Sequence, residues 1–300
     1  MKFFITGASG FVGGRLIQEL LRAGHEVIGL SRGPRAGAVD GLSWVQGDPT
    51  TPGPWQDALG ESDVIVNLAG ASLFGTRWTE AYKKKIMTSR IVGTRNLVEG
   101  LTARGGRGQT LITASAVGYY GFRGDEELDE FSPPGLDFLA TVCRRWESEA
   151  IKAEAAGVRV VRARFGIVLG RKGGALGQLV KPFRMFLGGP LGSGRQYFSW
   201  IHQNDLAAAL LFLAEKNGLS GPFNLTAPNP VTNRDLARAV GQVLKKPSFV
   251  PTPAFVLRLA LGEFGSILVQ GQRALPRRLS QAGFEFQFPQ VDTALVDLLG

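Results

Sequence analysis

This 300-residue chain has one cysteine, Cys143, and two histidines, His25 and His202. A single thiol excludes an internal disulfide framework and fits a reducing compartment, so a cytoplasmic location is expected. The two histidines lie far apart in sequence and no zinc-ligand spacing accompanies them, so no metal site is expected. No apolar run approaches the roughly 20 residues that span a bilayer, which argues against a membrane partner. The chain opens directly on an apolar strand, without the pattern of a signal peptide. Acidic residues are the minority charge: 25 Asp and Glu against 34 Lys and Arg, a formal net charge of +9. Nucleic acid is one reading of such an excess. The basic residues are dispersed, however, with one tight run at Lys83-Lys84-Lys85 and no nucleic-acid signature around it. An anionic cofactor and an anionic small-molecule substrate account for the charge more simply.

Glycine is plentiful, and its first cluster organises the chain. Met1 to Gly14 reads as a short apolar strand breaking into Gly7, Gly10 and Gly13. Leu16, Ile17, Leu20 and Leu21 follow at helical spacing, with a stop at Gly24 and a second apolar strand from Val27 to Leu30. Strand, glycine turn, helix and strand in thirty residues is the context of a dinucleotide-binding fingerprint, here spaced G-x-x-G-x-x-G. Gly7 allows the turn, Gly10 lets backbone approach a pyrophosphate, and Gly13 lets helix pack on sheet. The N–H groups of Phe11 and Val12 are then available to phosphates. The same triplet also fits a plain strand–helix turn.

The end of the second strand bears on which dinucleotide binds. NAD sites place Asp or Glu there for the ribose 2′-hydroxyl. This chain has Ser31 and Arg32. A hydroxyl and a guanidinium can hold a 2′-phosphate that a carboxylate would repel, so NADP is expected as cofactor. A solvent-exposed Arg32 with no ligand is the alternative.

Strands alternate with helices as far as residue 165. Leu42 to Gln46 is the third strand, followed by Gly47-Asp48, where an Asp can lie beside an adenine. Val64 to Gly70 is the fourth strand, and its small residues Leu68-Ala69-Gly70 end at the cofactor edge. Helices are expected over 78–101 and 137–156, with strands over 110–114 and 158–164. This is an α/β chain with a doubly wound parallel Rossmann sheet. Residues 1–165 form the dinucleotide-binding domain, and the strand and helix around 200–226 return to it. Residues 166–199 and 227–300 form a smaller substrate lobe. Gly166 to Gly194, rich in Gly, Lys and Arg, reads either as a substrate-covering loop with Arg195 ready for an anion or as a surface excursion. Thr232 caps a helix through Leu244, and another runs near 255–261.

Several longer motifs carry a resemblance: Thr6-Gly7-x-x-Gly10-Phe11-x-Gly13, Asn67-Leu68-Ala69-Gly70, Arg77-Trp78, Ser89-Arg90 and Gly118-Tyr119-Tyr120-Gly121. Trp146-Glu147, the 188–194 glycine run, Trp200-Ile201-His202 and Gly271 to Pro276 continue it. The chain resembles the extended or atypical short-chain dehydrogenases/reductases, and within them the NAD(P)-dependent epimerase family, over essentially its whole length. The resemblance implies an NADP-binding oxidoreductase or nucleotide-sugar epimerase-like protein. It implies that Ser31 and Arg32 meet the adenosine ribose phosphate and that Leu68 and Ala69 line the cofactor groove. Lys85, Arg90 and Val168 fall at cofactor-contacting positions, although Lys85 replaces an acid found in a relative. Members of the superfamily often pair through sheet-flanking helices, which allows a homodimer.

The family's chemistry rests on Ser or Thr, Tyr and Lys, with proton transfer from a tyrosine whose pKa is drawn towards the operating pH. Ser115 matches the serine. Registering on Glu147 puts Leu139 at the tyrosine position and Cys143 at the lysine position, and neither can perform those roles. Cys143 reads better as a packed residue than as a nucleophile. Tyr119 or Tyr120 could substitute as proton donor, with Arg164, Arg195 or Lys172 supplying positive charge; equally, both tyrosines could pack. Ser115, Tyr119, His202 and Asp205 are expected to face the pocket. A non-catalytic NADP-binding sensor or interaction protein is therefore the alternative to an enzyme.

Overall fold

The computed structural model describes residues 1–300 apart from 36, 38, 74–76, 105, 107 and 172. Seven strands form the central sheet: β1 (Lys2–Thr6), β2 (Glu26–Ser31), β3 (Leu42–Gln46), β4 (Val64–Asn67), β5 (Thr110–Ala116), β6 (Arg159–Phe165) and β7 (Gly221–Leu225). Their order is β7-β6-β5-β4-β1-β2-β3, and every neighbouring pair is parallel. Chain direction across the sheet reverses between β1 and β4, where the crevice at the strands' carboxyl ends takes a ligand in open α/β folds.

Burial on both faces explains the continuous apolar strands. On one face, α1 (Phe11–Arg22) presents Leu16, Ile17 and Leu20, and α5 (Gln203–Glu215) presents Leu206, Leu210 and Leu213 to Phe3, Ile5, Val64 and Val161. On the other, Leu97, Val98 and Leu101 of α2 (Glu80–Ala103) and Ala150 of α3 (Phe138–Ile151) cover Phe4, Ile65, Leu111 and Val160. The helix starts follow their capping residues. The Thr79 side chain accepts from the Tyr82 N–H and Asp137 from Ala140, each cap contributing about 1 kcal/mol. Among the described residues no helix is long and apolar enough to cross a membrane, and no group of three or more His, Cys, Asp or Glu could hold a metal.

The Gly166–Gly194 stretch is more than a loop. It contains the strand segment Ile167–Gly170, paired in parallel with Trp200–His202, and α4 (Leu176–Arg184). Leu176, Val180 and Phe183 bury one side of α4 against Leu236 and Val240 of α6 (Asn233–Leu244) and against Leu295 and Leu298 of the last helix, Val291–Leu299. The glycines of this stretch serve a distant partner. The Phe11 ring packs directly on Gly170, Gly173 and Gly174, and at Gly173 a Cβ would lie 2.6 Å from the ring.

Candidate functional site

The turns after β1 and β4 are locked together at the sheet's reversal. Thr6 and Asn67 are register partners, and the Thr6 hydroxyl donates to Asn67 Oδ1 at 2.7 Å. The same hydroxyl accepts the N–H groups of Leu68 and Ala69, both at 3.1 Å. The Asn67 amide in turn donates to Thr94 and Thr113, at 2.7 and 3.3 Å. Gly7 adopts φ +68°, and a Cβ on it would lie 2.9 Å from the Leu68 carbonyl. At Gly13 a Cβ would overlap the Gly7 carbonyl oxygen, because helix and turn are in backbone contact. At Gly10, among the described residues, only the Gly7 oxygen comes within 4 Å of the Cβ position, which leaves an open cradle above the α1 N-terminus. Phe11 and Val12 begin that helix, half-buried, with no acidic residue in its first turn.

At the tip of β2, the Ser31 hydroxyl donates to the Gly33 carbonyl at 2.9 Å and accepts from Arg35 Nε at 3.3 Å. Arg32 and Arg35 are both exposed, and the Arg35 guanidinium lies 5.5 Å from the Trp44 ring centroid. One guanidinium, that of Arg35, therefore contacts Ser31, and the exposed Arg32 follows it in the chain. Sequence reasoning singled out only Arg32; the Arg-Gly-Pro-Arg turn that carries both was the available signal. Leu68 and Ala69 are half-buried and Gly70 is exposed at the end of β4. Arg90 donates to the Ala71 carbonyl at 3.0 Å and stacks 5.2 Å from the Trp146 ring, and burial lowers its pKa. Ser89 accepts the Ala71 N–H at 3.0 Å. The Ser89-Arg90 pair thus shapes the 70–71 loop. Lys85 is exposed one turn earlier on α2. Val168 is on the segment paired with Trp200–His202, opposite Ile201.

Ser115, Arg164 and Asn224 form a row of register partners across β5, β6 and β7. Glu147 enters the row from α3. It accepts from Ser115 Oγ at 2.7 Å and is gripped by Arg164 at 2.8 and 2.9 Å. Arg164 also donates to the Tyr120 hydroxyl at 3.0 Å, and that hydroxyl donates to Asn224 Oδ1 at 2.6 Å. Burial alone would lower the Arg164 pKa, but the Glu147 carboxylate holds it above its ordinary value.

These contacts and those around α5 correct three expectations. Tyr120 is fully buried, its hydroxyl is committed to Asn224, and burial pushes its pKa up, so it is unsuited to proton donation. Arg164 is neutralised by Glu147 and offers no free charge. His202 and Asp205 are buried in packing contacts and line neither of the two clefts described below. The buried His202 caps α5 by accepting the Asn204 N–H and stacks on Phe288 with 3.9 Å between ring centroids. Asp205 accepts the N–H groups of Gln287 and Phe288 at 2.9 and 3.0 Å, pinning the C-terminal segment.

Tyr119 differs from its neighbour. Its ring lies half-buried on the face of the Arg164 guanidinium, 3.5 Å from centroid to Cζ. Among the described residues its hydroxyl has no hydrogen-bond partner. Leu139 packs with Trp78, Ile86, Val142 and Phe264. Cys143 is buried, and its thiol is pushed up to about 11 by that burial. Neither stands in for Tyr and Lys. Lys172 lies outside the described residues.

Beyond Tyr120-Gly121 a cleft of about 770 Å³ is lined by Phe122, Asp125, Arg195, Tyr197, Arg234 and Asp235, among others. Arg195 and Arg234 are exposed there, while Asp235 is engaged by Thr232 and Arg238.

The doubly wound sheet, the glycine turn at its reversal and the Ser-Glu-Arg row at the carboxyl edge define an α/β dinucleotide-fold protein of the short-chain dehydrogenase/reductase type. Within that class the chain belongs to the NAD dependent epimerase/dehydratase family, whose pattern matches residues 3–226. Residues 252–298 match a second family, described as a domain of unknown function (DUF1731). The Bacillus subtilis "epimerase family protein YfhF" is 41% identical over 300 residues, covering 100% of this chain and 98% of that one. The crystal structure of human epimerase family protein SDR39U1 with NADPH is 34% identical, with a TM-score of 0.85 and 99% of each chain covered. The structure of a Corynebacterium glutamicum nucleoside-diphosphate sugar epimerase is also 34% identical, with a TM-score of 0.80; it covers 100% of this chain and 58% of that one.

Proposed function

We propose that this chain is an NADP-dependent oxidoreductase or epimerase-like enzyme acting on an anionic small molecule. One observation carries the cofactor choice: β2 ends in Ser31, contacted by Arg35 and followed by Arg32, where an NAD site carries a carboxylate. The cofactor fits the remaining residues. The Gly10 cradle leaves room for a diphosphate at the α1 N-terminus, with the Phe11 and Val12 N–H groups directed to it. Leu68, Ala69 and Gly70 form the groove wall, Arg90 holds the adjoining loop, and Val168 flanks the nicotinamide end; Lys85, exposed on α2, is the most peripheral contact. When bound, the cofactor gives or takes a hydride. NADPH in the human relative's structure supports this reading.

In this reading Ser115 is a positioning residue held by Glu147. Tyr119, with its hydroxyl free of partners among the described residues, carries the proton. Arg195 and Arg234 receive the anionic end of the substrate in the 770 Å³ cleft. A nucleotide sugar, the class in the Corynebacterium relative's name, is the first to test. Residues 166–199 and 227–300 act as the substrate lobe. The second reading, an NADP-binding sensor, rests on the packed Leu139 and Cys143, which leave the usual acid–base pair absent.

Calorimetry with NADPH and NADH tests the first claim: NADPH binding at least tenfold tighter supports it, and equal affinities overturn it. Oxidation of bound NADPH on adding UDP-sugars or carbonyl compounds separates enzyme from sensor.

A further inference from the structure

A second cavity, of about 320 Å³, lies between α4, α6 and the helices Ala254–Leu261 and Glu263–Leu268. Its volume falls at the low end of the ~300–1,000 Å³ typical of ligand pockets. Its chemistry is unlike that of the 770 Å³ cleft. Of its lining side chains only Gln178, Asn233 and Thr252 are polar. Asn233 Oδ1 is already taken by the Leu191 N–H at 2.7 Å. Apolar walls of this kind hold water poorly and accept hydrocarbon.

Two features tie the cavity to the reaction site. Ile167, the residue before Val168, is part of its wall. Leu261, Phe264 and Leu268 line it as well, and they also pack in the cluster that holds Leu139 and Trp78. The cavity therefore shares a wall with the cluster around Leu139, the position registered to the family's tyrosine. At its far end Pro182 and Leu187 line it and are solvent-exposed, so it opens along the turn after α4. Phe186 in that turn is 57% exposed at φ 62°, a left-handed conformation that a bulky residue adopts only at a cost.

We infer that this cavity binds the hydrocarbon chain of a ligand, extending from beside Ile167 towards Leu187. The inference rests on the enzyme reading above and refines its substrate class: a polar, anionic head with an alkyl or isoprenoid-like tail. A bare nucleotide sugar has no group that gains from these walls.

The test uses the full-length protein and the fluorescent probe 1-aminoanthracene, displaced by straight-chain primary alcohols from hexanol to dodecanol. Affinity should rise about fourfold per added methylene until the cavity is filled, then stop rising. Ala237→Phe and Val240→Phe fill the cavity from α6 and should weaken alcohol binding at least tenfold. Ala175→Leu fills it from another wall should either of those fail to fold. Phe255→Ser and Leu259→Ser change exposed apolar residues outside the lining and should leave binding unchanged. Absence of chain-length dependence, or filled variants that bind as tightly as the parent, overturns the inference. NADPH titration of the same samples separates the two ideas. Alcohol binding without NADPH binding sinks only the cofactor reading, and the reverse sinks only this one.

Discussion

Arg164 and Glu147 meet in a two-pronged ion pair, with Nε to Oε1 at 2.8 Å and Nη2 to Oε2 at 2.9 Å, on side chains 2% and 3% exposed. A pair desolvated this fully is costly to break, because Arg164 without Glu147 is an uncompensated buried charge, while Arg162 at 3.5 Å is the second cation on Glu147. Glu147→Gln should destabilise the protein by about 3–5 kcal/mol in urea unfolding. The double change Glu147→Leu with Arg164→Met should recover much of that loss. A single variant as stable as the parent would show that the pair does not organise the β5–β6–β7 edge.

The glycines of the opening turn make a sharp internal comparison. Gly13→Ala forces a Cβ into the Gly7 carbonyl and should cost about 1–3 kcal/mol and abolish NADPH binding. At Gly14, one residue on, nothing among the described residues lies within 4 Å of the Cβ position. Gly14→Ala should stabilise α1 by roughly 0.5–1 kcal/mol and keep the cofactor. Thermal melts with and without NADPH check both; equal behaviour of the two variants would contradict the turn geometry.

Arg35 reaches Ser31 while Arg32 extends from the same turn. Arg32→Ala and Arg35→Ala should each weaken NADPH binding about tenfold, roughly 1.4 kcal/mol, and leave NADH binding unchanged. A parallel loss for NADH would place both arginines away from the 2′-phosphate.

The adjacent tyrosines should separate cleanly. Tyr120→Phe removes the donor to Asn224 and should cost about 1–3 kcal/mol of stability. Tyr119→Phe should change stability by less than about 0.5 kcal/mol and lower NADPH-linked turnover roughly 10²–10⁴-fold. Full turnover in Tyr119→Phe would remove it as proton carrier.

His202 gives the protein an acid-side sensitivity. Burial lowers its pKa, outweighing the Asp297 carboxylate 3.3 Å away, while Arg15 and Arg171 lower it further. The unfolded imidazole titrates at about 6.5 and so binds a proton that the folded one resists. Stability from this group is complete above that pH and is lost as the pH falls below it. His202→Asn keeps a capping side chain for α5 and removes the titration. The unfolding free energy of the variant should fall less steeply between pH 7 and 5 than that of the parent. Identical slopes would assign the acid sensitivity elsewhere.

The geometry of the opening turn was legible from residue order alone. Gly7, Gly10, Gly13, the α1 stripe and Ser31 act within thirty contiguous residues, where spacing dictates geometry. The alternation of apolar runs and capped helices likewise specified a parallel, doubly wound sheet, because strands buried on both faces need helices to cover them. What Tyr120, Arg164, His202 and Asp205 do depended on tertiary structure. Tyr120 meets Asn224 across 104 positions, and Asp205 meets Gln287 across 82. No local pattern announces such partners, and a buried polar group takes its role from whichever partner the fold delivers. The glycines of 170–174 read as part of a substrate-covering loop or a surface excursion for the same reason: they make room for Phe11, a ring about 160 positions earlier, which only the folded chain brings into contact.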